Sequence, residues 1–198
     1  MNENNICYLY KNCIYNNLFF DVRMVTRENI MYTDCHLLSI VHYSVIYRDI
    51  RVLQHLIDID KSVVNMIGTK LERTPLFFST DPDITTILIA NGSDVNKVDK
   101  ELNTPLHCIL EKYINSTEGL DMINENIKVF IWNGLNLTHF NSGNVSCKDL
   151  YHKMFPEENV NDGEDSYVKE CMKEDIDLSD DGRSDGRSDI NSSIESLI

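Results

Sequence analysis

The chain has 198 residues, 42% of them apolar, and a net charge of −14, which suits one packed domain with an appendage. Fourteen carboxylates against four basic side chains fall from Pro156 onward, so that tail carries −10 and residues 1–155 carry −4. Neither part has the basic footprint that neutralising phosphates requires, which argues against nucleic acid and anionic membranes as partners, and no apolar run approaches a membrane span.

The N-terminal "MNENN" is polar, without the apolar core of a signal peptide, and Asn at position 2 removes the myristoylation pattern. The six cysteines, Cys7, Cys13, Cys35, Cys108, Cys147 and Cys171, show no C-x-x-C spacing. A cytosolic protein with reduced thiols is expected, and the N-x-S/T triplets would stay unmodified there. In residues 5–20, "NICYLYKNCIYNNLFF", Ile6, Leu9, Cys13, Ile14 and Leu18 lie close to helical spacing, which predicts a capping helix within a region 1–35.

From residue 36 the chain repeats itself. "RTPLFFSTDPDITTILIANGSDVN" (73–96) and "NTPLHCILEKYINSTEGLDMINENIKVFIWNGLNLT" (103–138) both open on Thr-Pro-Leu and pass through an apolar cluster. Both then reach Asn-Gly, at Asn91-Gly92 and Asn133-Gly134. A fainter copy in residues 39–65 keeps His42, the Val52, Leu53, Leu56, Ile57 pattern and a closing Val64-Asn65. Copies at 36–68, 69–99 and 100–138 follow. Self-similarity near 33 residues with T-P-L-H is the sequence mark of the ankyrin repeat, a pair of short helices and an extended arm. Pro at the first helical position gives up no needed N–H, the Thr before it caps, and Gly after the second helix takes the left-handed turn that ends it. The expectation is an all-α solenoid of about three irregular repeats with helical caps, each pair burying its apolar side on its neighbours.

In a TPLH element the His braces adjacent turns, so His107 reads as scaffold, as does His42, while Phe77 holds the place in the middle copy. The middle copy is about three residues short at "STDPDITT", where Pro82 interrupts the step between helices. The third carries about nine extra residues, "INSTEGLDM", read as a longer loop. Ser44/Val45, Ser79/Thr80 and Ile109/Leu110 stand where Ala is usual and should loosen the stack. Leu102 replaces the usual Gly of the arm, which either strains that turn or changes its type. "NVSCKDLYHKMF" (144–155) reads as a degenerate last repeat or a cap.

From Pro156 the acidic composition predicts a disordered tail, 156–198. "DDGRSD" and the overlapping "SDGRSD", with Asp180, Asp181, Gly182, Ser184, Asp185, Gly186 and Ser188, resemble the D-S-G-x-x-S degron read by the beta-TrCP ubiquitin-ligase receptor. "IDLSDD" is similar to a SUMO-interacting strand, and the final "ESLI" to a PDZ ligand.

With one Ala, many Asn and Ile, and its "TPLH" and "NGSDVN" units, the array resembles the poxvirus ankyrin-repeat proteins over roughly residues 36–140. The resemblance implies a host-range or immune-evasion factor in the host cytoplasm or nucleus that captures host proteins. The acidic tail stands where many relatives carry an F-box-like segment. Arrays of this kind bind through arm tips and the concave helix face, which nominates Ile67, Leu71, Lys97, Lys100, Leu102 and Phe140. The leading expectation is therefore a non-catalytic, monomeric interaction module without cofactor or metal. The alternative is a tail that acts as a beta-TrCP decoy and blocks NF-kappa-B activation. Nothing suggests an enzyme: there is no phosphate-cradling glycine loop, H-E-x-x-H or nucleophile elbow, and Cys35-His36 and His107-Cys108 are adjacent only in sequence.

Overall fold

Hydroxyl residues precede the inner helical elements, and the side chains of Ser39, Thr104 and Ser146 complete capping boxes whereas that of Thr74 makes no capping bond. Ser39, Thr74, Thr104 and Ser146 each take an extended N-cap conformation, and Pro75 and Pro105 follow two of them at the first helical position. The computed structural model describes residues 5–115 and 119–155, all within the unit Met1–Asn161. Among them are seven α-helices: α1 (Ile6–Tyr15), α2 (Ile40–Ile46), α3 (Ile50–Ile59), α4 (Pro82–Ala90), α5 (Pro105–Tyr113), α6 (Leu120–Trp132) and α7 (Cys147–Met154). Short 3-10 turns cover Val22–Met24, Lys61–Asn65 and Pro75–Phe78. The β-pairing among the described residues consists of isolated antiparallel bridges, Thr33 with Ser39, Gly68 with Arg73 and Phe140 with Ser146. The described chain is all-α.

Packing follows chain order. α1 lies on α2, α2 on the turn Pro75–Phe78, that turn on α5, and α5 on α7, while α4 packs on α6. Each element hides a narrow apolar side: Val52, Leu53, Leu56 and Ile57 on α3, Ile84 and Leu88 on α4, Ile123, Ile127 and Phe130 on α6. Each such side chain, fully buried, contributes about 1.5–3 kcal/mol, and none of these short elements covers its own.

The imidazoles fix the joins. His42 accepts the Ser39 backbone N–H at Nδ1 (3.3 Å), so its proton sits on Nε2, which faces the Arg73 carbonyl at 3.3 Å. His107 repeats this with the Thr104 N–H (3.2 Å) and the Val145 carbonyl (3.1 Å). Both rings are fully buried, and each ties its own helix start to the arm of a later copy. Gly68 lies against the first ring: a Cβ there would stand 2.5 Å from His42 Nε2.

Several expectations change. α1 ends at Tyr15, not at residue 20, and of the expected apolar set it buries Ile6, with Cys7 and Tyr10 in place of Leu9, Cys13, Ile14 and Leu18. Asn17 turns left-handed (φ 51°) and the Leu18 N–H closes on the Cys13 carbonyl, which leaves Leu18 and Phe19 exposed. Tyr10 wins the inward place because its ring meets Phe20 edge-on at 4.9 Å and its hydroxyl donates to Asp49 at 3.1 Å. Pro82 does not merely interrupt a step. With Asp81 as N-cap it opens α4, and the first helix of that copy shrinks to the turn Pro75–Phe78. The added residues of the third copy are only partly loop, since α6 begins at Leu120 and takes in Asp121 and Met122. Residues 144–155 supply a further bridge, Phe140 with Ser146, and a further capped helix, α7.

Two outcomes test the imidazole joins. Gly68→Ala should lower stability by about 1–3 kcal/mol through overpacking against His42, read as a fall in denaturant midpoint. An unchanged midpoint would show that the ring is not held. Burial pushes the His42 imidazole down to about 4, while an unfolded His titrates near 6.5. The join is thus complete above pH 6.5, and as pH falls from 6.5 to 4 the unfolded chain takes up the proton first. Stability should decline by roughly 3 kcal/mol across that window. His42→Phe, the side chain of the middle copy, should flatten the slope in the same denaturation series.

Candidate interaction surface

Four arms of one length end on the four N-caps, at residues 33–39, 68–74, 98–104 and 140–146. In each the fifth residue is left-handed: Leu37 (φ 63°), Glu72 (61°), Leu102 (60°) and Asn144 (58°). Leu102 therefore strains a turn whose type is kept. In three arms a side chain at the second position holds the loop. Asp34 Oδ1 accepts the His36 and Leu38 N–H groups, Asp99 Oδ1 those of Glu101 and Asn103, and Asn141 Oδ1 those of Gly143 and Val145. In the second arm Thr69 takes the place and accepts only from Leu71, at 3.3 Å, while turning left-handed itself (φ 64°).

The arms are also joined to one another. The Lys100 N–H donates to the Leu71 carbonyl (3.0 Å) and the Ser142 N–H to the Glu101 carbonyl (2.9 Å). His139 Nε2 donates to the Leu102 carbonyl (2.9 Å), and Asn141 Nδ2 to Asn103 Oδ1 (2.8 Å). Arg73 Nε meets the buried Asp99 carboxylate at 2.8 Å.

On this frame Ile67 (53% exposed), Leu102 (47%) and Phe140 (51%) point into solvent. Leu71 is half-buried, its carbonyl held by the neighbouring arm. Lys97 is exposed, whereas Lys100, also exposed, is engaged with Glu72 at 2.9 Å and with the Lys70 carbonyl. Leu37, exposed at the place that Leu102 holds two arms later, was missed in the sequence. Its signal was its position two residues before a capping hydroxyl. The tail residues Asp180, Asp181, Gly182, Ser184, Asp185, Gly186 and Ser188 lie outside the described residues.

One cysteine–histidine contact has no counterpart in the sequence reading. Cys147 Sγ lies 3.1 Å from His107 Nδ1, and Thr104 Oγ1 lies 2.8 Å from the same nitrogen. Burial pushes the Cys147 thiol up to about 12 and lowers the His107 imidazole, so both partners are held neutral. An activated thiolate needs the opposite shift. Asp34, Cys35 and His36 bring one possible metal-ligand atom each within 4.8 Å. The Asp34 carboxylate, however, is filled by two backbone N–H groups, the Tyr43 hydroxyl and the Lys11 ammonium, the last at 3.3 Å.

No family model matches the chain, and no curated protein matches it.

A left-handed Leu costs about 1–2 kcal/mol that Gly avoids, offset in part by the unfolded-state entropy of Gly. Leu102→Gly should therefore raise stability by about 0.5–1 kcal/mol in chemical denaturation. A loss of stability would mean that the Leu102 side chain packs in a way its exposure does not suggest.

Proposed function

We propose that the chain is an ankyrin-type repeat array that works as a non-catalytic protein–protein interaction module. The repetition of one arm geometry four times, with imidazoles bridging from helix start to a following arm, supports the architecture. The resemblance of the "TPLH" and "NGSDVN" units to poxvirus ankyrin-repeat proteins supports a role in the capture of host proteins.

One observation carries the functional reading. Apolar side chains stand exposed on arms whose backbone is already satisfied by turn and cross-arm hydrogen bonds. Large apolar groups held rigidly in water are what a partner's pockets take up, and such anchors carry most of the energy of an interface. Charged neighbours such as Lys100 are engaged within the arms and serve orientation.

Ile67→Asp combined with Leu102→Asp should remove the main partners recovered in affinity purification from host cytosol, with the thermal midpoint unchanged within a few degrees. A partner set identical to that of the unmodified chain would rule out the arm tips as the binding surface.

A further inference from the structure

The shortened middle copy leaves a notch in the row of inner helical elements. The turn Pro75–Phe78 has four residues where α2 has seven and α5 nine, so the space beside a second helical turn is unfilled. A cavity of about 370 Å³ opens there, within the size range of sites that hold small ligands or single large side chains. Its apolar lining is Ile46 at the end of α2, Phe77 and Phe78 on the turn, and Ile109 on α5, with Thr80 and Cys108 beside them. Ile46 is 38% exposed at the rim.

The polar lining is cationic. Arg73 and Lys112 both line the cavity. Arg73 spends Nε on Asp99 and keeps Nη2 4.0 Å from Glu101, and its two terminal nitrogens donate no hydrogen bond among the described residues. Lys112 lies 5.4 Å from the Tyr113 ring centroid and has no ion-pair partner among the described residues. Arg48 adds a third cation at the edge, donating to the lining residue Thr80 at 3.0 Å. Asp99 and Glu101 pair with Arg73, and Glu72, Asp49 and Glu111 are the chain neighbours of Arg73, Arg48 and Lys112, with Glu72 paired to Lys100.

We propose that this notch is a peptide-docking site that takes one aromatic or aliphatic side chain of a partner segment and pairs the carboxylates beside it with Arg73 and Lys112. The inference deepens the reading of the chain as an interaction module and rests on it. Apolar walls fix the kind of side chain, and Lys112, with no ion-pair partner among the described residues, fixes the sign of its neighbours, while Arg73 offers terminal N–H groups beyond its pairs with Asp99 and Glu101. A peptide suits the geometry better than a free small acid. Arg73 is a wall of the notch and also one end of the bridge with Gly68, so the notch is continuous with the second arm. An extended chain uses both surfaces; a small acid uses one.

The test is selection of a random peptide phage library on the full chain, followed by titration of the enriched peptides against Lys112→Glu and Ile46→Asp. Neither side chain makes a hydrogen bond among the described residues, and a thermal melt checks that each variant remains folded. The expected result is enrichment of sequences with an aromatic or aliphatic residue next to Asp or Glu, whose affinity falls about tenfold or more in each variant. Enriched peptides that are basic or uncharged, or that bind both variants undiminished, would overturn the proposal, as would failure to enrich any peptide. Peptides lost only with Ile67→Asp/Leu102→Asp would overturn the notch and leave the interaction module standing. A micromolar small carboxylic acid that displaces nothing agrees with a peptide site, whereas full displacement of the peptides by it would overturn the choice of occupant.

Discussion

A neutral imidazole with both nitrogens engaged sets the spacing of this molecule. At His42 and His107 one nitrogen holds the first N–H of a helix and the other holds a carbonyl in a later arm. The apolar sides drive the copies together, but they are non-directional and tolerate sliding. The ring does not: its two nitrogens fix where a helix starts relative to the next arm. Phe77 stands in this place in the middle copy and has no such groups. There the join passes to the partly buried pair of Arg73 with Asp99 and to the hydrogen bond from the Lys100 N–H to the Leu71 carbonyl. On the far side of the helices a second ladder serves every copy: Asn65 Nδ2 donates to the Gly92 carbonyl and Asn96 Nδ2 to the Gly134 carbonyl, at 2.9 and 2.8 Å.

The shortened copy shows what it takes to close a helical row over a missing turn. Ser79 and Thr85 hydroxyls meet at 2.8 Å, Asn126 on α6 reaches back to the Ser79 carbonyl at 2.9 Å, and Arg48 covers Thr80. These groups fill with hydrogen bonds a region that the third copy fills with the apolar Ile109 and Leu110. Among the described residues Asn126 Oδ1 is buried without a hydrogen-bond partner, as is His55 Nε2 on α3. Each such unsatisfied buried atom costs on the order of 1–3 kcal/mol.

Legibility in the sequence tracked how local the determining contact is. The Thr-Pro starts and the Asn-Gly stops were readable because Pro at the first helical position, the Thr104 cap and a left-handed Gly act within a few residues, although Thr74 makes no capping bond. The strain at Leu102 was half readable: the residue was conspicuous, but only the matching φ at Leu37, Glu72 and Asn144 shows that the turn keeps its type. The face of α1 was misread because Tyr10 was not counted as apolar, although its ring packs on Phe20 while its hydroxyl finds Asp49. The last arm hid behind Asn-Ser-Gly-Asn, which shares geometry but no letters with the others. The contact of Cys147 with His107 spans forty positions of chain and leaves no trace in either neighbourhood.

Strain and exposure coincide at Leu37 and Leu102, and that coincidence bears on the proposed role. A left-handed Leu costs about 1–2 kcal/mol and, standing half in water, returns little through burial. Folding alone would favour Gly or Asn there, and Asn144 shows that Asn serves the same turn. The strained backbone is tolerated because Asp34 and Asp99 over-determine each loop with two accepted N–H groups apiece. The inference runs from the outlier to a use for it. A turn that holds an apolar side chain rigidly outward lowers the entropy a partner must remove on binding, and rigid anchors of that kind are where interfaces concentrate their affinity.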